Sequence, residues 1–126
     1  MANKILVVDD EPNIVLSLEF LMKQAGFQVR TASDGEAALA AVTADTPDLV
    51  LLDVMMPNLD GLAVCKQIKA DPQIRTLPVI FLSARSQQFE VEAGMRLGAL
   101  GYIIKPFDMF GLSREISVLL AHAKPS

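Results

Sequence analysis

The feature of this chain that most limits its fold is a regular alternation of five short apolar runs with longer segments of helical character. Three of the runs, at residues 5–8, 49–52 and 79–82, are apolar without interruption. Continuous apolar runs of this length are typical of parallel strands that are buried on both faces. The alternation therefore predicts an α/β protein in which helices cover both faces of a doubly wound, five-stranded parallel sheet, joined by right-handed crossovers.

The remaining runs and the segments between them fit the same architecture. The run at residues 27–32 alternates apolar with polar residues, as expected of a strand at the sheet edge. Residues 102–104 form the last apolar run and predict the fifth strand. Two apolar stripes at helical spacing predict helices near the two ends of the chain: Ile14, Leu18, Leu21 and Met22, and Leu112, Ile116, Leu119, Leu120 and Ala123. We expect turns or segment ends at Gly26, Gly94, Gly98 and Gly101.

The composition indicates one globular domain. The chain has 126 residues, of which 52% are apolar and 21% are charged, and this composition excludes a disordered protein. Its formal net charge of -4 argues against direct binding to nucleic acid or to an anionic membrane, because both attract positively charged surfaces. We expect residues 1–123 to form the domain and residues 124–126 to be a tail or the start of a linker.

Other features of the sequence favour a cytoplasmic location. Cys65 is the single cysteine, so no disulfide can form within the chain and a reducing compartment fits. The first apolar run is too short for the core of a signal peptide, and no stretch approaches the roughly 18 apolar residues of a membrane span. We therefore expect a cytoplasmic protein without membrane contact.

Charged and hydroxyl side chains directly follow four of the apolar runs. They are Asp9, Asp10 and Glu11 after the first run, Asp53 after the third, Ser83 after the fourth and Lys105 after the fifth. In open α/β sheets the ligand crevice lies beyond the carboxyl ends of the strands. If these runs lie side by side in one sheet, the six side chains meet at one edge of it.

Such a group of side chains has few chemical uses. Clustered carboxylates resist ionisation unless a cation joins them, and Mg2+ is a suitable partner because it prefers oxygen ligands. The carboxylate of Asp53 can attack phosphorus to form an acyl phosphate. The metal and Lys105 would share the charge on the transferred group, and the Ser83 hydroxyl could hydrogen-bond it. The pattern therefore predicts a phosphoryl-acceptor site.

Five short motifs, in order and spread over nearly the whole chain, resemble the receiver domains of two-component response regulators. They are LVVDDE at residues 6–11, DVMMP at 53–57 followed by Asp60 and Gly61, LSA at 82–84, Gly98 with Ala99, and YIIKPF at 102–107. Each motif alone is a weak signal, but five in sequence are specific. The resemblance implies a flavodoxin-like strand order of 2-1-3-4-5.

The resemblance assigns the acids to a metal and acceptor site. Asp53 matches the residue that is phosphorylated, and it also contributes to the Mg2+ site. Asp10 matches a direct Mg2+ ligand, and Asp9 an acid that contacts the metal largely through water. Met55 would offer its backbone carbonyl to the metal, so that role does not constrain its side chain.

The resemblance also assigns catalytic and switch roles on the neighbouring strands. Ser83 matches the hydroxyl residue that senses the phosphoryl group, and Lys105 matches the invariant lysine of the family. Pro106 follows this lysine, and the peptide bond between them is cis in the family. Tyr102 matches the aromatic residue that turns inward when the hydroxyl residue moves, although it also fits an ordinary half-buried strand position.

The function implied is that of a phosphoryl-accepting switch in a two-component phosphorelay. Asp53 would take a phosphoryl group from a histidine kinase or a phosphotransfer protein in a Mg2+-dependent reaction, and a surface for a downstream output domain or effector protein would change. Such a domain is a signalling switch rather than an enzyme, because it catalyses only its own phosphorylation and dephosphorylation. We expect slower dephosphorylation than in fast chemotaxis-type receivers. Polar side chains two residues past the acceptor or past the hydroxyl residue can hold the attacking water. Here Met55 has no suitable hydrogen bond to offer, and Arg85 could stabilise the acyl phosphate instead.

Three other functions share parts of this pattern. A haloacid-dehalogenase-type phosphatase has an Asp nucleophile after its first strand, but it needs Asp-x-Asp there and a cap-domain insertion that this chain lacks. A flavodoxin-like carrier shares the fold, but acids in the first loop would repel a flavin phosphate. A pseudo-receiver, which only binds proteins, typically loses an acid or the lysine that this chain retains. Both a single-domain regulator and a fragment of a longer protein fit the sequence.

Overall fold

Five strands and five helices alternate along the chain. The computed structural model describes residues 3–85 and 87–123, except for the side chains at 109, 110, 122 and 123. The strands are β1 (Lys4–Val8), β2 (Gln28–Ala32), β3 (Leu49–Asp53), β4 (Val79–Ser83) and β5 (Gly101–Ile104). The helices are α1 (Pro12–Gln24), α2 (Gly35–Ala44), α3 (Gly61–Ala70), α4 (Gln88–Arg96) and α5 (Met109–Ala123). Within the described ranges, no helix is both long and apolar enough to cross a membrane.

The strands form one parallel sheet in the order β2-β1-β3-β4-β5. The fold class and strand order expected above are therefore confirmed. The uninterrupted apolar runs are β1, β3 and β4, which are the three inner strands, and their apolar residues are all buried. The alternating run is β2 at one edge, where Gln28, Arg30 and Thr31 are exposed.

Alternate residues of the inner strands belong to two apolar layers on opposite faces of the sheet. Leu6 and Leu52 belong to one layer, whereas Ile5 and Leu51 belong to the other. Helices α2 and α3 complete the first layer with Val42, Val64, Cys65 and Ile68. Helices α1 and α5 complete the second layer with Leu18, Met22, Leu112, Ile116 and Leu120. Cys65 is thus a buried core residue.

Two glycines end helices as expected, but a third does not. Gly26 and Gly98 follow α1 and α4 with φ of 98° and 94°, a conformation that glycine adopts without strain. Gly94 was expected at a segment end or turn, and this prediction is wrong because the residue lies within α4. A Cβ at Gly94 would be 3.1 Å from ring carbons of both Phe81 and Tyr102. Glycine is present here because α4 lies so close to the sheet.

The loop between β3 and α3 brings the start of the helix against the end of the strand. Asp60 caps α3, since its Oδ1 accepts a hydrogen bond of 2.9 Å from the backbone N–H of Ala63. The N–H of Gly61 donates to the carbonyl oxygen of Val54 at 3.0 Å. A Cβ at Gly61 would lie 2.2 Å from the carbonyl oxygen of Asp53, so a larger residue would push the strand end away.

We expect Gly61→Ala to lower the free energy of unfolding by about 1–3 kcal/mol, because the added methyl group meets backbone that cannot rotate away. Urea denaturation of the purified chain measures this loss. Gly111→Ala in α5 is a matched control, since the methyl group there meets the flexible carboxylate of Asp108 at 2.9 Å. Its stability should stay within about 1 kcal/mol of wild type. Equal stability of Gly61→Ala and wild type would contradict the close approach.

Candidate functional site

The carboxyl ends of four neighbouring strands carry the charged and hydroxyl side chains that the sequence singled out. Asp53 and Ser83 are the last residues of β3 and β4, whereas Asp9 and Lys105 directly follow β1 and β5. These strands are adjacent in the sheet and parallel. Because parallel strands end at the same edge, residues far apart in sequence meet there.

The three aspartates form one acidic cluster. Carboxylate oxygens of Asp9, Asp10 and Asp53 all lie within 4.8 Å of one another. Asp9 is fully buried and Asp53 is only 3% exposed, whereas Asp10 is exposed. Two buried carboxylates this close are costly in the absence of a cation, and the exposed third acid leaves one side of the cluster open to solvent.

Lys105 provides the positive charge for the two buried acids. Its Nζ lies 2.8 Å from Oδ2 of Asp9 and 3.3 Å from Oδ1 of Asp53, with Oε1 of Glu11 at 4.0 Å. Burial disfavours the ammonium charge, but the hydrogen bonds and negative charges of Asp9 and Asp53 outweigh it and raise the pKa of Lys105. The peptide bond between Lys105 and Pro106 is cis.

Asp53 remains electrostatically unfavourable despite this lysine. Burial, followed by repulsion from Asp9, raises the pKa of Asp53 from 3.8 to about 6. Lys105 and the backbone N–H of Met55 act in the opposite direction, and both donate to Oδ1 of Asp53 at 3.3 Å. In the described part of the chain no hydrogen bond reaches Oδ2 of Asp53.

Asp9 and Asp10 differ in how they are held. Both oxygens of Asp9 are engaged, because Oδ1 accepts from the backbone N–H of Glu11 at 2.9 Å and Oδ2 accepts from Lys105. Among the described residues, none donates a hydrogen bond to the carboxylate of Asp10. Neither acid caps α1, whose cap residue is Glu11 without a side-chain hydrogen bond.

The two expected switch residues meet at the backbone of Arg85. Ser83 is fully buried, and its Oγ accepts a hydrogen bond of 3.0 Å from the N–H of Arg85. The hydroxyl of Tyr102 donates to the carbonyl oxygen of Arg85 at 2.9 Å. The Tyr102 ring packs against Phe81 with centroids 6.0 Å apart and planes tilted by 58°. Ser83 and Tyr102 are thus linked through one residue of the β4–α4 loop.

Sequence reasoning missed two elements of this region. The link through Arg85 uses backbone atoms, which every residue type except proline offers, so the sequence contains no signal for it. The ion pair of Arg85 with Glu90 has Nε and Oε2 3.5 Å apart and joins the loop to α4. Opposite charges five residues apart would have suggested this pair only if the loop conformation had been known.

Comparison with known proteins identifies the family to which the chain belongs. Residues 5–117 match the family model described as the response regulator receiver domain. The chain is 41% identical over 124 residues to the alkaline phosphatase synthesis transcriptional regulatory protein PhoP of Bacillus subtilis (strain 168), covering 98% of this chain and 51% of that protein. The chain thus spans about half the length of this relative.

Solved structures of similar chains have the same fold. A putative response regulator from Chloroflexus aurantiacus J-10-fl is 34% identical with a TM-score of 0.90, and the match covers 96% of this chain and 99% of that one. The signal receiver domain of a signal transduction histidine kinase from Syntrophus aciditrophicus is 33% identical with a TM-score of 0.89, over 99% and 95% of the two chains. The chain belongs to the response regulator receiver domain family.

Proposed function

We propose that this domain is the phosphoryl-accepting switch of a two-component phosphorelay, in which Asp53 takes a phosphoryl group from a histidine kinase or a phosphotransfer protein. The observation that carries the proposal is the buried ion-pair arrangement in which Lys105 joins Asp9 to Asp53, with the exposed Asp10 beside it. Membership of the receiver family supports the same function.

Mg2+ fits the acidic cluster, because that ion prefers oxygen ligands and three carboxylates lie within reach of one another. Burial and the negative charge of Asp9 raise the pKa of Asp53, and Lys105 does not fully offset these two effects. We assign Asp10, Asp53 and the backbone carbonyl of Met55 as ligands, with Asp9 contacting the ion through water. When bound, the ion offsets the charge of the carboxylates and of the phosphoryl oxygens.

The residues of the chain have distinct tasks in the transfer. Oδ2 of Asp53 forms a bond to phosphorus while the bond from phosphorus to the donor atom breaks, and the donor atom keeps the electron pair. Asp53 loses its negative charge as it becomes an acyl phosphate, so Lys105 is released to pair with a phosphoryl oxygen. Among the described residues, the Oγ of Ser83 accepts a hydrogen bond from the N–H of Arg85 and donates none, so its own proton is available to the new group.

The output of the switch is a changed surface near α4 and β5. A new phosphoryl dianion attracts Ser83, at the carboxyl end of β4, and Lys105, which directly follows the carboxyl end of β5. Ser83 is linked through Arg85 to Tyr102, so its movement reaches the β4–α4 loop. The partner is a downstream output domain or effector protein. The Bacillus subtilis relative, a transcriptional regulatory protein of about twice this length, supports this view.

The remaining proposals concern the whole protein. Residues 1–123 constitute the receiver domain, and residues 124–126 are a tail or the start of a linker. The protein acts in the cytoplasm, a location with which its single, buried cysteine is consistent, and its role is signalling rather than metabolism. The receiver domain itself contacts neither nucleic acid nor a membrane.

Acetyl phosphate with Mg2+ should add the mass of one phosphoryl group to the wild-type chain and none to Asp53→Asn, because the amide cannot form an acyl phosphate. Intact-mass spectrometry measures the gain. Asp71→Asn, which also removes one carboxylate but lies outside the cluster, should be modified like wild type. Modification of Asp53→Asn would contradict the assigned acceptor, and a wild-type chain that gains no mass would indicate a domain that only binds proteins.

Asp10→Ala should weaken Mg2+ binding by about tenfold or more. This strongly hydrated ion is bound through only one or two carboxylates, so the loss of one removes much of the affinity. Titration followed by NMR at pH 7.5 measures the affinity. In wild type the affinity should fall as the pH is lowered through about 6, because protons then compete with the metal for Asp53. Glu115→Gln, which removes an exposed acid of α5, is the control. Equal affinities of Asp10→Ala and wild type would remove Asp10 from the ligands.

Asp53→Asn should be more stable than wild type in Mg2+-free buffer above pH 6. The folded chain keeps the Asp53 proton up to about pH 6, whereas the unfolded chain releases it near 3.8, so raising the pH between these values destabilises the wild type. The difference corresponds to at most about 3 kcal/mol and should shrink towards pH 4. Urea denaturation at several pH values measures it. A less stable variant at pH 7.5 would contradict the electrostatic strain on Asp53.

A further inference from the structure

The side chain of Arg85 is held by an acid of the neighbouring helix. Its Nε lies 3.5 Å from Oε2 of Glu90, in the first turn of α4. The Arg85 side chain is 50% exposed and that of Glu90 is 20% exposed, so the pair lies at the surface and can exchange partners.

The backbone of Arg85 is held by two hydrogen bonds, whereas its side chain makes a single ion pair at the surface. Its N–H donates to Oγ of the buried Ser83 at 3.0 Å, and its carbonyl oxygen accepts from the hydroxyl of Tyr102 at 2.9 Å. Two hydrogen bonds to separate strands hold this part of the loop in place. The guanidinium group of Arg85 can exchange one anion for another by rotation of its own side chain.

Two neighbouring cavities border Arg85. One of about 330 Å³ is also lined by Met55 and Asp60 and opens beside the loop that directly follows Asp53. The other, of about 160 Å³, is also lined by Glu90 and Tyr102. Arg85 therefore lies between the acceptor loop on one side and its carboxylate partner on the other, with space next to it on both sides.

We propose that Glu90 is a positioning residue that acts through Arg85 and sets the lifetime of the phosphoryl group on Asp53, an inference that rests on the function proposed above. In the unphosphorylated chain Glu90 keeps the guanidinium on the α4 side. A phosphoryl group on Asp53 competes for the same guanidinium, because its oxygens match the planar donors of arginine and bear more charge than one carboxylate.

The competition affects hydrolysis. In that reaction water attacks phosphorus, the bond from phosphorus to the Asp53 oxygen breaks, and the products are the aspartate carboxylate and inorganic phosphate. Arg85 bound to the phosphoryl oxygens stabilises the acyl phosphate and occupies space on the Met55 side, where water would approach. Glu90 draws Arg85 back, so it shortens the lifetime of the phosphorylated state.

The lifetime is measured by phosphorylating the chain with acetyl phosphate and Mg2+, removing the phosphodonor by rapid desalting, and following the loss of phosphoryl mass. Glu90→Gln should lengthen the half-life about two- to fivefold, as expected from loss of a partly exposed ion pair. In the Arg85→Gln background the same change should have no effect. Glu92→Gln is the matched control, because that acid of α4 pairs with Arg96 at 3.9 Å instead.

A second measurement separates positioning from a purely structural role. The Nε–H resonance of Arg85 should shift when beryllium fluoride, an acyl-phosphate mimic, is added to the wild-type chain. Normal phosphorylation with the same half-life in Glu90→Gln and wild type would overturn the inference and leave the proposed function intact. A half-life that changes equally with and without Arg85 would show that Glu90 acts on structure alone. Absence of phosphorylation in wild type would overturn both proposals.

Discussion

The ion pairs of Lys105 are the interaction on which the rest of the site depends. Two carboxylates buried at the edge of a sheet repel each other, and a single ammonium group within 2.8 Å and 3.3 Å of them makes their burial tolerable. The compensation is incomplete, because the pKa of Asp53 remains raised. A protein that balanced these charges fully would have little affinity for a further cation or an incoming phosphoryl group. The incomplete compensation is therefore consistent with the cation and phosphoryl group that the proposed function requires.

The parallel sheet makes this arrangement possible without any local sequence clustering. Asp9, Asp53 and Lys105 are separated by more than forty residues from one another, yet each lies at the same end of its strand. Parallel pairing brings these ends together, and the two apolar layers of the core fix their relative positions. The core thus brings together charged residues that are too far apart in sequence to meet within one short motif.

Much of this was predictable from the sequence, for physical reasons. Inner parallel strands must be apolar on both faces, so the runs at residues 5–8, 49–52 and 79–82 identified β1, β3 and β4. The polar residues that follow these runs were expected to meet if the runs lie side by side, and the resemblance to receiver domains supplied the strand order. Gly94 was misjudged because glycine marks both turns and close helix packing, and only the rings of Phe81 and Tyr102 reveal which applies. The link between Ser83 and Tyr102 was invisible because it passes through the backbone of Arg85.

Tyr102 has an optical consequence. The chain contains no tryptophan and one tyrosine, so its entire tyrosine emission arises from a single ring. That ring packs against Phe81 and its hydroxyl donates to the Arg85 carbonyl, in the loop that joins β4 to α4. A rearrangement of this loop therefore changes the surroundings of the fluorophore. The fluorescence of Tyr102 therefore reports on the loop between β4 and α4, a part of the surface where the two proposed states are expected to differ.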